Sequence, residues 1–559
     1  LNLKTTLLIV YKPGQLVKEI TIPTLLYYLT PIFLYAETHY SFKGIFSRLK
    51  KKEPEIVADV PFRIEPDQAV PLLVLCKDAH LFPILLQQIE VSLIQQEKVV
   101  FKQLFKLNER INQKFWFRIL DLALNERPYG PVKIDIAIQI KMNGQTRVYH
   151  NDNYRISSHF PFDTYLANDP LPRLENLVWG DLHYHSAYTE DQVEFGAPLA
   201  ATLRLARAMG CHFFAVTDHS YDLDDCEDDV LQNDGHLPKW QKMNAEVEEL
   251  NQQYDNFCII PGEEVSCGNS KNKNVHFLIL NNRQFFPGKG DGAEKWFHTR
   301  PDLTIPHILN NLETESLAYA AHPEVEPPLL QKILIRRGKW EQADYLHHRL
   351  TGMQIWNGRD DHFFQQGMKQ WIKLLLQGTK LKIVAGNDAH GNFNRFRQIG
   401  FPFWTFRENR HEIFGYARTG VWLDQKMSKD AVLAGLRKGL NIISNGPLLW
   451  FEAIDDGGIQ LKIGEHASGA IRKLWIKARS TDEFGQLTHL KLVGGEIGAR
   501  SEKEILTVNH FPVPFHYEEM CEIEFGPKQG YIRGELLTQK EGKNYRCLTN
   551  PLWIGDTTL

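Results

Sequence analysis

The chain is poor in the features that mark several large protein classes. Its 559 residues include only 7 cysteines. Cys76, Cys211, Cys226, Cys258, Cys267, Cys521 and Cys547 are scattered, with no Cys-x-x-Cys pair, so neither a disulfide framework nor a thiolate zinc site follows. A reducing cytoplasm fits that usage. Positive charge is not in excess either: Lys and Arg total 64 against 68 Asp and Glu, a formal net charge of −4. That balance gives no general attraction for nucleic acid. The basic run Arg48, Lys50, Lys51, Lys52 is short, is followed at once by Glu53, and reads as a solvated linker. A Gly-x-Ser-x-Gly elbow and a Walker-type phosphate loop are both absent, which removes the usual serine-hydrolase and nucleotide-triphosphatase readings. One long uncharged run exists, residues 20–36, and it has the length of a membrane span. Pro23, Pro31 and three threonines within it favour a buried or interfacial hairpin, with membrane association through 20–36 as the lesser reading.

What remains is the composition of a folded globular chain, 43% hydrophobic and 24% charged. Its length exceeds one ordinary core, so several domains are expected. Residues 1–54 form an apolar and basic segment. Over 55–170 the pattern is β-like, with period-two alternation in Phe115–Leu124 and Val132–Lys141 and an Asn143-Gly144 hairpin signal, which together suggest a β-sandwich. From 171 to 447 strands alternate with helices. Pro198–Met209 is an amphipathic helix stopped by Gly210, Trp240–Tyr254 is a second, and Ser428–Lys438 is a third, ended by Gly439. This alternation argues for a parallel α/β barrel or open sheet. Residues 448–559 return to β patterning.

The polar clusters of the middle region follow its strands. His183 and His185 lie one residue apart, and side chains at i and i+2 of a strand share a face, so both imidazoles can reach one ion. Asp218-His219, Glu263-Glu264, His276, His322 and Asp388-Ala389-His390 come after later strands. Imidazole and carboxylate are the ligands that zinc-like ions favour, and clusters of ions need bridging carboxylates. Asp181 and Asp218 precede histidines and either orient them by accepting an N–H bond or help the strand end turn. Asn357 and Arg359, and then Arg395 and Arg397, fall near the same strand ends; an arginine there could grip an anionic group, with an ordinary surface ion pair as the default reading. His212, His236 and His347-His348 lack such context and read as surface residues.

These runs, Gly-Asp-Leu-His183-Tyr-His185-Ser, Val-Thr-Asp218-His219, Pro-Gly-Glu-Glu264-Val, Val-His276-Phe-Leu, Ala-His322-Pro and Gly-Asn-Asp388-Ala-His390-Gly, resemble in order the motif series of the polymerase and histidinol phosphatase (PHP) superfamily. The run after Gly386 and the β-rich tail ending Thr549-Asn-Pro-Leu-Trp also resemble the CehA/McbA-like metallohydrolase branch. The resemblance implies an α/β fold, a distorted (βα)7 TIM-like barrel flanked by the two β domains, and two or three divalent ions (zinc, manganese or iron). It implies a first ion on His183, His185, Glu264 and Asp388. A second would share Glu264 and add His276 and His322, and a third would take His219, His390 and Glu190, with Asp191 as the competing neighbour. A hydroxide held by the metals would then attack a small, possibly anionic substrate. The implied activity is that of a phosphoesterase, with a carbamate, ester or amide hydrolase as the alternative and a non-catalytic metal-containing binding or sensor protein as a third reading. Oligomeric state is not addressed by the sequence.

Overall fold

The computed structural model describes residues 6–7, 20–21 and 53–555, apart from 125, 154–158, 190–195, 228–231, 290–298, 396–397, 402–403 and 408–411. The basic run at 48–52 and nearly all of the 20–36 stretch lie outside the described residues. Among those described, no helix is long and apolar enough to cross a membrane.

The N-terminal region is built from two sheets. One has three strands, Glu55–Asp59, Val70–Lys77 and Phe115–Leu122. The other has six and is centred on Ile84–Gln95 between Gly130–Met142 and Lys98–Ile111. Alternation explains the second sheet: Val132, Ile134, Ile136, Ile138 and Ile140 of one strand all turn into a shared core with Ile89, Val91 and Leu72. The Asn143-Gly144 turn forms as the sequence predicts. Both residues take positive φ, +50° and +80°, and join Gly130–Met142 to Gln145–His150 by a two-residue loop.

The middle region corrects the expected α/β (βα)7 barrel. The chain is mostly β, 45% strand against 16% helix, with 7 helices among the described residues. A single sheet of 15 strands runs Lys382–Gly386, Gly352–Asn357, Leu317–Ala320, Asn274–Leu280, Cys258–Gly268, Phe213–Val216, Leu177–Asp181, Arg418–Trp422 and Asn441–Ser444. It then continues directly into Lys543–Thr549 and the strands of the C-terminal region. The pairings are mixed. Leu177–Asp181 runs parallel to Phe213–Val216, but Asn274–Leu280 is antiparallel to both of its neighbours. The reason is local. Only residues 269–273 link Cys258–Gly268 to Asn274–Leu280, too few for the crossover of a dozen or more that a parallel pair requires.

Lys382–Gly386 ends the strand order among the described residues, and side chains from the facing segments bond its backbone there. Asn550 Oδ1 accepts from the Ile383 N–H at 2.9 Å, Thr419 Oγ1 accepts from the Ala385 N–H at 2.9 Å, and Asn441 donates to the Ile383 carbonyl at 2.8 Å. Such bonds satisfy backbone groups that would otherwise be left unpaired.

The helices follow their sequence signals. Lys429–Lys438 starts where the Ser428 hydroxyl accepts from the Ala431 N–H and stops at Gly439, whose φ is +84°. Leu199–Ala208 and Pro238–Gln253 match the expected helices within two residues at each end. His362–Leu376 is capped by Asp361 and lays Phe364, Trp371, Leu374 and Leu375 against the sheet. Three parts of the chain meet at Arg63, which is fully buried. Its guanidinium binds Glu65 in the N-terminal region, the Met209 carbonyl in the middle region and Glu483 in the C-terminal region.

Candidate metal centre

Eight of the nine ligands expected from the sequence lie within the described residues, and the fold brings them to one place. Glu264 is at the middle. Its Oε1 lies 2.7 Å from His276 Nδ1, 3.2 Å from His322 Nε2 and 3.3 Å from His183 Nε2. Its Oε2 lies 2.9 Å from His219 Nδ1 and 3.6 Å from His185 Nε2. Asp388 Oδ1 lies 3.0 Å from His185 Nε2 and 3.3 Å from His183 Nε2. The His390 ring stacks on that of His185, centroids 4.3 Å apart.

Short backbone pairings create this convergence. Tyr184–His185 pairs in parallel with Ala389–His390, which sets two histidines side by side. A bridge between His219 and Glu264 does the same for that pair. Two of the eight residues sit at positive φ, Asp388 at +54° and His322 at +27°. Non-glycine residues there carry strain of about 1–3 kcal/mol each, which tends to persist where a site over-determines the backbone.

Three groups of ligand atoms, each within 4.8 Å of one another, could hold an ion: His183, His185, Glu264 and Asp388; His219, Glu264 and His276; and His185, His219 and His390. The first coincides with the set the PHP resemblance implies. In the second, His219 stands where His322 was expected, although His322 also touches Glu264. The third includes His185 in place of Glu190, which lies outside the described residues together with Asp191 and Arg397.

The donor set fits cations. Glu264 Oε2 and His219 Nδ1 are buried and close, yet neither makes a properly directed hydrogen bond. A buried acceptor left this way costs about 1–3 kcal/mol unless something else engages it. Electrostatics agree. Burial opposes ionisation of Glu264 and Asp388, but His276 and His183 for the first, and His183 and His185 for the second, hold both carboxyls well below the usual range. For His183, burial works against protonation, and the charges of Asp388 and Glu264 overcome it and raise the imidazole to about 9. Burial and the neighbouring His390 and His219 push His185 well below its ordinary value, and burial lowers His219 and His276 as well. The cluster therefore offers two carboxylates and, at His185, His219 and His276, neutral imidazoles.

Asp181 and Asp218 do position the site, though through backbone and not through imidazole N–H groups. Asp181 accepts from the His183 and Gly415 N–H groups and from Asn387. Asp218 accepts from the Ser186 and Thr189 N–H groups and the Ser186 hydroxyl, ordering the turn after His185. Ring orientation comes from Gln354, which the sequence reading missed. Its Oε1 lies 2.9 Å from His183 Nδ1 and also accepts from the His322 N–H, while its Nε2 donates to Asn357 Oδ1. Asn357 in turn reaches Asp388 Oδ2 at 3.5 Å. The available signal was a lone glutamine within the apolar run Gly352-Met-Gln-Ile-Trp, since a buried amide must find partners.

Glu263, the other half of the doublet, faces away from the cluster. It accepts from Ser220, Asn282 and the Phe286 N–H, and burial lifts its carboxyl to about 8. Of the rim candidates, Arg359 is exposed, whereas Arg395 is buried with its Nε 3.9 Å from Asp59. Arg337, not anticipated from the sequence, brings its guanidinium to His276 Nε2.

No family model matches the chain, and no curated protein does. Solved structures that align with it include a calcium-binding mutant of Bacteroides uniformis beta-glucuronidase 2, at 11% identity and TM-score 0.17 over 89% of this chain and 60% of that one. Parabacteroides merdae beta-glucuronidase aligns at 8% identity and TM-score 0.17, covering 90% of this chain and 64% of that one. Beta-D-mannosidase from Dictyoglomus thermophilum aligns at 8% identity and TM-score 0.20, covering 89% and 66%. This chain thus spans less than two thirds of the first two, and TM-scores this low carry no argument about fold or activity.

Proposed function

We propose that this protein is a metal-dependent hydrolase, acting on phosphoester bonds. The observation that carries the reading is the ring of five imidazoles within 3.6 Å of the buried Glu264 carboxylate, with Asp388 beside it. A structural zinc site closes at four ligands, and this constellation is larger and shares a carboxylate between groups. The ligand motifs support the same reading through their resemblance to PHP hydrolases. Divalent ions bound here would lower the pKa of water from about 15.7 towards about 7 and stabilise charge on an attacked group.

The chain's own residues do the rest. Gln354 holds His183 through Nδ1, which leaves Nε2 directed at the two carboxylates. Asp388 is the open side of the centre: its side chain is 23% exposed while those of His183, His185 and Glu264 are at 0%. Substrate would approach there. Arg337, next to His276, adds a cationic group at the margin, which supports an anionic substrate.

The test combines metal analysis of the purified protein with a panel of phosphomonoesters, phosphodiesters, carboxylesters and carbamates, using His183→Ala and Asp388→Ala as controls. Phosphoester turnover that both variants lose is the expected result. Turnover of carbamates or carboxylesters alone would replace the bond class and keep the metal chemistry. An inert metal-loaded protein, or variants that match the parent, would sink the hydrolase reading.

A further inference from the structure

The loop that carries His390 is anchored from the N-terminal β region. Asp59, at the end of strand Glu55–Asp59, is 1% exposed. Its Oδ2 accepts from the Phe393 N–H at 2.7 Å, and its Oδ1 accepts from the Arg395 N–H at 3.0 Å and from the Val60 N–H at 2.9 Å. Nearby backbone completes the anchor. The Phe62 N–H donates to the Phe393 carbonyl at 3.1 Å, and the Asn394 amide donates to the Asp163 carbonyl at 2.8 Å. Phe393 itself is fully buried, in one cluster with Val57, Leu73 and Leu75 of the N-terminal region and with Tyr184 and Ala389 beside the site.

Little slack separates this anchor from the site. Gly391 sits at φ +61°, and a Cβ there would lie 2.0 Å from the Ala197 nitrogen, so the backbone is pressed against Gly196-Ala197, which bridges to Ser186 just after His185. Asn392 donates to the Glu412 carbonyl and accepts from the Phe414 N–H. Between these contacts His390 keeps its Nδ1 3.1 Å from the Asp388 carbonyl and its ring stacked on His185. A carboxylate suits the anchor because each of its two oxygens receives one loop N–H. An amide would turn an N–H2 group toward one of those donors and lose that bond.

We propose that Asp59 is a positioning residue for the metal centre: by receiving the Phe393 and Arg395 N–H groups across the domain boundary, it places His390 so that the His185–His219–His390 group can hold a cation. The N-terminal β region is thereby part of the site and not an appended module. The inference rests on the metal reading above, and the experiment separates the two.

Full-length protein is stripped with chelator and titrated with Zn2+, with affinity read by competition against a chromophoric chelator and stoichiometry by elemental analysis after gel filtration. The parent is compared with Asp59→Asn, His390→Ala, the double variant and Leu73→Ala. Leu73→Ala loosens the same interface core without touching the loop backbone. The expected result is that Asp59→Asn weakens one zinc equivalent by about 10–100-fold, the usual effect of removing a group that orients ligands. The others keep parental affinity, the double variant loses the same equivalent as His390→Ala, and Leu73→Ala melts earlier yet keeps every equivalent. The proposal is overturned if Asp59→Asn binds as the parent does, if it loses all equivalents together, or if Leu73→Ala loses the same equivalent. A parent that binds no zinc overturns the metal reading and this inference with it.

Discussion

Replacing Glu264 by Gln keeps the shape of the side chain and removes the charge on which five imidazoles converge. The magnitude differs between the metal-free and metal-bound protein. At 3.3 Å from His183, a full ion pair at an effective dielectric of about 20 is worth about 5 kcal/mol. His183 can escape most of that loss by shedding its proton. Its value of about 9 in the parent limits the penalty at pH 7.5 to about 2 kcal/mol. The larger effect falls on cation binding, since Glu264 belongs to two of the three ligand groups. An ion present at 100 times its dissociation constant stabilises the parent by about 2.7 kcal/mol. For a cooperative unit of 150–250 residues that corresponds to roughly 5–11 °C in melting temperature. Chelator-stripped parent and Glu264→Gln proteins are melted in a calorimeter with and without zinc. The parent should show the full rise, and the variant should keep only the smaller part due to His185, His219 and His390. An equal rise in both proteins would refute the assignment of Glu264 as the shared ligand.

Four further outcomes follow from the same geometry. Gln354→Ala removes the partner of His183 Nδ1 and of the His322 N–H, so zinc affinity should fall about 10–100-fold with little change in far-ultraviolet circular dichroism; unchanged affinity would exclude the orienting role. His183, near 9 when metal-free, should release close to one proton on metal uptake at pH 7.5, seen as a binding enthalpy that tracks the ionisation enthalpy of the buffer. By the same linkage its contribution to metal-free stability, about 3 kcal/mol at most, is complete below about pH 6.5 and is lost as the pH rises through about 9; urea midpoints that stay flat over that range would contradict it. Glu483→Ala strips the buried Arg63 of one of its two carboxylates and should destabilise the protein by about 3–5 kcal/mol, measured by urea unfolding.

The legible part of the site was its ligands. Each expected ligand except Glu190 falls among the described residues and takes part in one cluster; His183, His219, His322 and Asp388 follow strands as the apolar runs suggested, whereas Glu264 and His276 lie within the strands Cys258–Gly268 and Asn274–Leu280. Local structure was equally readable where the signal was short-range. Asn143-Gly144 makes its turn, and Ser428 and Gly439 bound their helix through contacts within four residues. The roles of Asp181 and Asp218 were half legible. Their proximity to histidines was visible, but which N–H they accept depends on turns that bring Ser186, Thr189 and Gly415 to them. The barrel expectation failed because alternation of strands and helices does not encode direction or order. The five-residue link at 269–273 forces a reversal, and Arg418–Trp422 takes a place beside Leu177–Asp181 that a closed barrel would give to its last strand.

The sequence by itself determined which chemical groups are present and that they lie on or next to strands, since both depend on residue type and on periodicities of a few residues. Only the tertiary structure decided which ligands share a carboxylate, that Gln354 orients His183, and that Asp59 reaches the His390 loop from 334 residues away. Those contacts are long-range hydrogen bonds of buried polar groups, and their partners are set by how sheets pack together, a property no local window of sequence contains.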